Sequence, residues 1–432
     1  MDSLPPWYDP EIHKANHQGG YWAFKETSNI TGGVAKPKIT SLNLEARATS
    51  LGLGQVSIGA LINDVEFNFS INVDMYLQTT THVEKIDADR IMIKGRSYSG
   101  YSMLNTTDDS VKYLGKVGTS GNVNRTFFDA RTNKQKFMIS GYPSANTFYY
   151  TLDDTDKKFS KDNVNGSLGY LRDMPDRNNP GIGIDIDIHR TTDMVQIDET
   201  VYFIGMQYRS GVGGALIAWN TVTNEKYAIK KGIFDNYQPR KMIRIGDKLA
   251  IATQAMNNSG FGGNTLPSTP KIFIFDPATQ KVVQEYKPVE GLPAVDVGRI
   301  QTLDDRHIIG LTSNGGTSDN KTPLYSSKMF LYIIDTYTNE VIMKKTIQTG
   351  NYMRVEKEGS ALSGGFHFIV HGEYIYTWLS ARTLSTIDKN GNIESHALMP
   401  YQSKMAFSHG SIYMTGAKKL MKIADPKADF LR

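Results

Sequence analysis

The 432-residue chain contains no cysteine, and this absence excludes three kinds of chemistry. Disulfide bonds, thiolate metal sites and a cysteine nucleophile all require that residue. No stretch approaches the ~20 apolar residues of a membrane-spanning helix, so we expect no membrane span. The formal net charge is only +4, whereas a dedicated nucleic-acid binder concentrates basic residues in one patch. We therefore expect no nucleic-acid partner.

The sequence also lacks the short motifs that would announce a catalytic class. It has no zinc-ligand spacing and no nucleophile elbow, and its glycine-rich stretches are not followed by a helical pattern, as a phosphate-binding loop would be. The first twenty residues show no basic segment followed by an apolar one, so no signal peptide is predicted. We expect a virion or cytoplasmic protein, or an extracellular one if a leader has been removed.

A repeated unit of four short strands dominates the rest of the chain. In its clearest copy, the strand Thr192–Ile197 leads into the alternating run Val201–Met206. A glycine-rich gap, the apolar run Ala215–Trp219, a tight turn and the strand Glu225–Ile229 follow. Alternation of apolar and polar residues is typical of half-buried strands, and clusters of Asn, Gly and Thr are typical of turns.

Two kinds of turn recur in register with this unit. An aspartate or asparagine ends the third strand, where its side chain can accept a backbone hydrogen bond and so favour a turn. The seven such anchors are Asn105, Asp153, Asn220, Asp276, Asp335, Asp388 and Asp425. A polar dipeptide precedes the second strand in five copies: Asp198-Glu199, Gly246-Asp247, Asp304-Asp305, Gly372-Glu373 and His409-Gly410.

These spacings predict an all-β chain with a β-propeller of seven four-stranded blades. The anchors recur every 40 to 67 residues or so, roughly the length of a propeller blade. We place the propeller at residues 81–432, after an N-terminal region at residues 1–80 that is an arm or a clasp. The last copy stops after its third strand, so the N-terminal region could supply the outermost strand and close the ring without an exposed edge.

The repeats resemble those of the seven-bladed propeller superfamily with YVTN or quinoprotein-like repeats, over residues 85–432. The matching feature is an apolar strand followed by Asp-x-x-Thr, as in Phe275–Thr279 and Ile334–Thr338. The Trp-Asp and Gly-His pairs of WD40 blades are missing, and so is the tryptophan docking motif of quinoprotein dehydrogenases. The resemblance therefore implies the fold, not quinone binding, and no cofactor is predicted.

The long connections are predicted to share one face of the propeller, because successive antiparallel strands run in opposite directions. They are Ser160–Gly183, Arg209–Gly214, Met256–Pro270, Pro288–Val297, Ser313–Ser327 and Thr349–Gly365. Long loops are more often functional than short ones. We therefore predict that this face binds a partner, although any one loop could also be a tolerated insertion.

Basic residues lie near the start of five innermost strands, on the same face. Arg and Lys that converge would suit a carboxylate, sulfate or phosphate, whereas dispersed ones would be ordinary surface charges. The predicted ligand-binding residues are Arg190, Arg240, Lys241, Arg299 and Lys404, with His189 and His367 beside them.

An acidic stretch just before this region gives a weaker candidate site. Asp185, Asp187 and His189 alternate along a presumed strand and would share one face of it. Two carboxylates and an imidazole could hold a structural divalent cation, or act as a base and its orienting partner. A polar outer strand face would explain them equally well.

Two functional hypotheses follow. The first is a non-catalytic binding or structural propeller in a virion, a phage tail or another multi-subunit assembly, whose partner is a protein subunit, a further copy of the chain, a glycan or an anionic ligand. The alternative is a polysaccharide lyase acting on an acidic glycan in the central funnel. His189, His367 and Tyr237 would then be the catalytic candidates, and Arg240 and Arg299 would neutralise the uronate.

Overall fold

The computed structural model describes most of the predicted strands and several of the turns between them. The described residues are 39–50, 53–62, 65–74, 80–95, 100–115, 117, 123–141, 145–152, 159, 166–171, 188–207, 214–229, 234, 237–254, 269–290, 294–314, 328–348, 368–378, 383–398, 405–416 and 419–427. No helix among them is long and apolar enough to cross a membrane.

The chain divides into two compact units, Met1–Ala46 with Gln55–Asn72 and Arg47–Gly54 with Val73–Arg432. The first three strands, β1 (Ile39–Ser50), β2 (Leu53–Ile62) and β3 (Val65–Asp74), form a sheet of their own. This sheet lies within the predicted N-terminal region 1–80, whose boundary as a domain stays a prediction.

The remaining strands form seven successive antiparallel blades, which confirms the predicted all-β propeller. Blade 1 holds β4 (Thr80–Lys85), β5 (Arg90–Gly95), β6 (Tyr101–Asn105) and β7 (Val111–Gly115). Blade 2 holds β8 (Val123–Asp129), β9 (Lys134–Gly141), β10 (Asn146–Thr151) and β11 (Gly166–Tyr170). Blade 3 holds β12 (Ile188–Ile197), β13 (Thr200–Gln207), β14 (Gly214–Asn220) and β15 (Lys226–Ile229).

The other blades follow the same order of strands. Blade 4 holds β16 (Gln238–Ile245), β17 (Lys248–Gln254), β18 (Ile272–Asp276) and β19 (Lys281–Tyr286). Blade 5 holds β20 (Ala294–Thr302), β21 (His307–Asn314), β22 (Lys328–Asp335) and β23 (Glu340–Gln348). Blade 6 holds β24 (Phe368–His371), β25 (Tyr374–Trp378), β26 (Thr383–Asp388) and β27 (Ile393–Leu398), and blade 7 holds β28 (Met405–Ser408), β29 (Ser411–Gly416) and β30 (Lys419–Ala424).

The first strand of each blade is innermost, because first strands of neighbouring blades contact one another. Such contacts join β12 to β16, β16 to β20, β20 to β24 and β28 to β4. The core lies between the faces of adjacent blades, where apolar residues from both are buried together. Trp219 of blade 3, for example, is stacked on Tyr149 of blade 2 at 5.6 Å between ring centroids.

The described turn anchors end their third strands as the sequence suggested, except Asp425, which follows β30. Asp153 lies outside the described residues. Asn220, Asp276, Asp335 and Asp388 each end a third strand, and each side chain accepts hydrogen bonds from backbone N–H groups of the turn that follows. Asp276 also accepts a hydrogen bond from the Thr279 hydroxyl at 3.0 Å. The last residue of the Asp-x-x-Thr motif thus closes the same turn.

Replacing Asp276 by alanine is expected to lower the free energy of unfolding by about 1 kcal/mol, because the turn loses both acceptors. Urea unfolding of the full chain measures this difference. Asp276→Asn is the matched control, since its side chain keeps one acceptor oxygen and should retain most of the stability. Equal losses in the two variants would show that the charge matters rather than the hydrogen bonds.

One predicted loop is wrong. The stretch Ser160–Gly183 contains strand β11, which pairs with β10 as the outermost strand of blade 2. The connection from β10 to β11 therefore spans residues 152–165. It joins a third strand to a fourth strand, and such connections belong to the face opposite the predicted long loops, where the other turns are tight. The turns on that face are consequently not all short.

The ring closes by direct packing of blade 7 against blade 1. The Ser408 hydroxyl lies 2.8 Å from that of Thr106 and donates to the carbonyl of Ala88 at 2.6 Å. His409 Nε2 lies 2.7 Å from an Asp89 carboxylate oxygen, and Tyr413 is buried among apolar residues of blade 1. Because β1–β3 form a separate sheet, the predicted clasp would have to involve residues outside the described ones.

Candidate functional site

Ionisable residues occupy one register position of the innermost strands. In each blade, the residue at this position of the first strand pairs with the fifth residue of the second strand. In blade 3, for example, Asp193 pairs with Ile204, which is the fifth residue of β13. The five blades in which this position is described carry His82, Arg125, Asp193, Lys241 and Arg299 in chain order. We call these five residues the charged layer.

A β-bulge or register irregularity immediately precedes the charged layer in four of these five blades. The pairing shifts between Thr80 and His82, Thr191 and Asp193, Pro239 and Lys241, and Asp296 and Arg299. A bulge adds a residue to one strand, bends it and redirects the side chains that follow. Its recurrence indicates that the orientation of this layer is a built feature of the repeat.

Salt bridges link four innermost strands across this region. Arg125 of β8 contacts Glu84 of β4 through Nη1 at 2.7 Å and Asp193 of β12 through Nη2 at 3.4 Å. Lys241 of β16 contacts the other oxygen of Asp193 at 2.9 Å. The result is an alternating chain of charges, Glu84–Arg125–Asp193–Lys241, that crosses blades 1 to 4.

Asp193 is the centre of this chain. Its side chain is 5% exposed, and the same oxygen that meets Lys241 accepts a hydrogen bond from the backbone N–H of Met242 at 3.0 Å. Burial opposes its ionisation, but Lys241, Arg125 and the Met242 N–H together hold the pKa of Asp193 below its usual value. The carboxylate therefore stays ionised at neutral pH.

The pKa values of Lys241 and Arg125 shift in opposite directions in this environment. Burial, with a smaller contribution from Arg125, lowers the pKa of Lys241, and Asp193 offsets only part of that effect. Glu84 is the main cause of the raised pKa of Arg125, so this guanidinium is a permanent charge. Its side chain is 36% exposed, which leaves one cation of the chain accessible to a ligand.

The predicted ligand-binding residues fall into two groups. Arg190, Arg240, Lys241 and Arg299 lie on β12, β16 and β20 and are half-buried. Arg240 is the bulged residue of β16, and its Nη1 lies 3.6 Å from the sulfur of Met206. Lys404 lies outside the described residues.

The predicted catalytic and metal-binding residues are only partly described. His189 belongs to β12 through its backbone, whereas His367, Asp185 and Asp187 lie outside the described residues. Tyr237 packs edge-on against Phe273 at 5.5 Å, with Lys271 Nζ 5.2 Å from its ring centroid. Within the described part of the chain, no three His, Asp or Glu side chains form a group that could hold a metal ion.

The sequence prediction missed His82, Glu84, Arg125 and Asp193. Neither Arg125 nor Asp193 belongs to a recognisable motif, and the pairing register places them in one layer. If residues are counted backwards from the dipeptide turn of each blade, the count that gives Lys241 in blade 4 gives His367 in blade 6 and Lys404 in blade 7. Both of these residues lie outside the described ones. Register counting is therefore the signal that could have found the layer.

Comparisons with known proteins support the fold and do not identify a family. No known family profile and no curated protein sequence matches the chain. Among solved structures, a streptogramin B lyase is similar with a TM-score of 0.51 at 11% identity, covering 88% of this chain and 97% of that one. A proposed 6-phosphogluconolactonase from Bacteroides fragilis gives 0.48 at 10% identity, covering 89% and 98%. A prolyl endopeptidase gives 0.43 at 8% identity, covering 88% and 54%.

Proposed function

We propose that the chain is a non-catalytic binding propeller that docks an acidic surface of another protein, as one subunit of a larger assembly. The register of the charged layer supports this function best, because Arg125, Lys241 and Arg299 share one register position on the innermost strands of three blades. Arg and Lys are the residues suited to bind carboxylates.

The position of the layer adds a second argument. The longest connections outside blade 2 are 171–187, 255–271, 315–327 and 349–367, and each either joins two blades or links a second strand to a third. Both kinds of connection lie on the same face, which we call the loop face. Arg190, Arg240 and Lys241 belong to the loop-face ends of β12 and β16. A partner on this face would meet loops and cations together.

The proposal also concerns the kind of assembly to which the chain belongs. A virion or phage-tail subunit fits the cysteine-free composition, and a propeller offers a rigid platform for docking. Further copies of the chain are candidate neighbours in such an assembly. An acidic glycan would offer similar carboxylates, so acidic polysaccharides are tested beside the acidic polypeptide.

Binding of the full chain to immobilised poly-L-glutamate tests the proposal. Arg240→Glu should weaken this binding about tenfold, the effect of losing about 1.4 kcal/mol of interaction. Arg244→Glu is the matched control, because Arg244 lies on the same strand but near the tight turn, where it is exposed and bonds the Gly246 carbonyl. Added salt should weaken wild-type binding.

Three results would overturn the proposal. The first is a failure to bind poly-L-glutamate, and the second is an equal loss in Arg240→Glu and Arg244→Glu. The third is release of unsaturated uronate from alginate or polygalacturonate incubated with the chain, which would favour the polysaccharide lyase instead.

A further inference from the structure

Two histidines of blade 6 lie beside the turn that follows β30 of blade 7. His371 is the last residue of β24, and its Nε2 is 3.8 Å from a carboxylate oxygen of Asp425 in that turn. His396 lies in β27, and its Nδ1 is 3.5 Å from Oε1 of Glu394, the carboxylate that binds Lys427 of the same turn. We call this contact region the blade 6–7 seam.

His396 occupies a site that disfavours a positive charge. It is the extra residue of a β-bulge, a feature that redirects side chains, and its side chain is only 11% exposed. Its Nε2 lies 2.6 Å from the hydroxyl oxygen of Thr386, which is buried. Burial lowers the pKa of His396, and the Lys427 ammonium adds to this effect. The carboxylates of Glu394 and Asp425 oppose the effect but do not reverse it.

His371 is in a comparable position on the innermost strand. Its ring stacks on Phe407 of blade 7 with 4.5 Å between centroids, which shields one face of the imidazole from water. Burial lowers the pKa of His371, Asp425 opposes this effect, and Lys85 of blade 1 adds to it. The other oxygen of Asp425 accepts a hydrogen bond from the Tyr376 hydroxyl at 2.5 Å, so the carboxylate already has a partner in blade 6.

The direction of both pKa shifts means that acid favours an open seam. A histidine whose pKa is lower in the folded protein than in the unfolded chain binds fewer protons when folded. Its stabilising contribution is fully present above the unfolded value of about 6.5 and is lost as the pH falls below it. His371 and His396 therefore act in the same direction. On the other border of blade 7, a protonated His409 would instead form an ion pair with Asp89 at 2.7 Å.

We propose that the blade 6–7 seam is a pH-sensitive switch that opens when His371 and His396 become protonated. Charged His396 would compete with Lys427 for Glu394, the carboxylate that ties the final turn to blade 6. Charged His371 would be poorly solvated against Phe407 unless the two blades move apart. Because the contact of blade 7 with blade 1 is not weakened by acid, the ring would open at this seam alone.

A single introduced thiol reports the opening, because the chain has no cysteine of its own. Met414→Cys places the thiol in the buried core that blade 7 shares with blade 6, and Met138→Cys places a matched control between blades 2 and 3. For each full-length variant, the rate of labelling by iodoacetamide is divided by the rate for the same variant unfolded in urea at the same pH. This ratio measures local opening and cancels the effect of pH on the thiol itself.

The opening ratio of Met414→Cys should rise about fivefold from pH 7.5 to pH 5.5. Each histidine contributes at most about tenfold, because its unfolded pKa of about 6.5 lies one unit above the lower pH. Met138→Cys should show no such rise. Adding His371→Gln and His396→Gln to Met414→Cys should abolish the rise, since glutamine does not gain a proton.

Two further variants separate the roles of the side chains. His307→Gln removes a histidine of blade 5, so the rise at Met414→Cys should remain. Lys427→Met removes the competitor for Glu394, so the rise should become smaller, because His396 then has this carboxylate to itself. The seam of Lys427→Met should be more open than that of the wild type at pH 7.5.

An equal rise at Met414→Cys and Met138→Cys would overturn the proposal, because the whole ring would then be unfolding. The absence of any rise at Met414→Cys would do the same, as would a rise that persists after His371→Gln and His396→Gln are added. Ile412→Cys lies in the same buried core and serves for the measurement if Met414→Cys does not fold.

Discussion

Replacing Asp193 by alanine is expected to lower the free energy of unfolding by about 3 kcal/mol. The carboxylate lies between Lys241 at 2.9 Å and Arg125 at 3.4 Å, and it also accepts the backbone N–H of Met242. Without it, two neighbouring cations lose their shared partner, and Lys241 is only 22% exposed. The partial exposure of Arg125 keeps the loss below that of a fully buried network.

Urea unfolding of the wild type and the variant measures this loss, and Glu84→Gln is the matched control. Glu84 lies at the end of the same chain of charges and contacts Arg125 alone among its members, so its removal should cost about 1 kcal/mol or less. In the double variant Asp193→Ala, Lys241→Met the stranded ammonium is gone, and much of the stability should return. An Asp193→Ala variant no less stable than Glu84→Gln would contradict the central role of Asp193.

The same substitution has a pH signature. Since the pKa of Asp193 is lower in the folded protein than in the unfolded chain, its contribution is fully present above the unfolded value of about 3.9. It is lost as the pH falls through the lower folded value. The stability difference between wild type and Asp193→Ala should therefore be large at pH 7 and shrink below about pH 4. A difference that stays constant down to low pH would mean that packing, not charge, is responsible.

The fold was predictable from the sequence because the residues that specify each turn and each strand are close together in the chain. Each Asx turn needs only an aspartate or asparagine and the few residues after it, as Asp276 and Thr279 show. Alternation then identifies the strands on either side. Strand β11 was missed because its sequence, GSLGY, alternates weakly and depends on pairing with β10.

The candidate site was only partly predictable because it depends on register between distant strands. The sequence prediction named Lys241 and Arg299 of the layer, but in blade 3 it named Arg190, which is separated from the layer residue Asp193 by a bulge. One extra residue moves every later side chain to the other face. The pairing of Arg125 with Asp193 joins residues from two blades, and nothing in the local sequence of either strand indicates it.

Replacing Tyr376 by phenylalanine is expected to lower the free energy of unfolding by about 2 kcal/mol, as hydrogen bonds to charged groups are worth more than neutral ones. Its hydroxyl donates to Asp425 at 2.5 Å, and both side chains are buried. Burial and this hydrogen bond raise the pKa of Tyr376 well above its usual value, so the phenol keeps its proton. The bond joins β25 of blade 6 to the turn after β30 in blade 7.

Tyr332→Phe is the matched control for this effect. Tyr332 is equally buried, but its hydroxyl donates to the neutral carbonyl of Val297 at 3.4 Å, so its loss should cost about 1 kcal/mol or less. In Tyr376→Phe, Asp425 keeps the Lys427 N–H at 2.9 Å and gains no donor from the ring. Urea unfolding of both variants at pH 7 makes the comparison. A Tyr376→Phe loss no larger than that of Tyr332→Phe would mean that apolar packing, rather than the buried carboxylate, holds the last blade against the sixth.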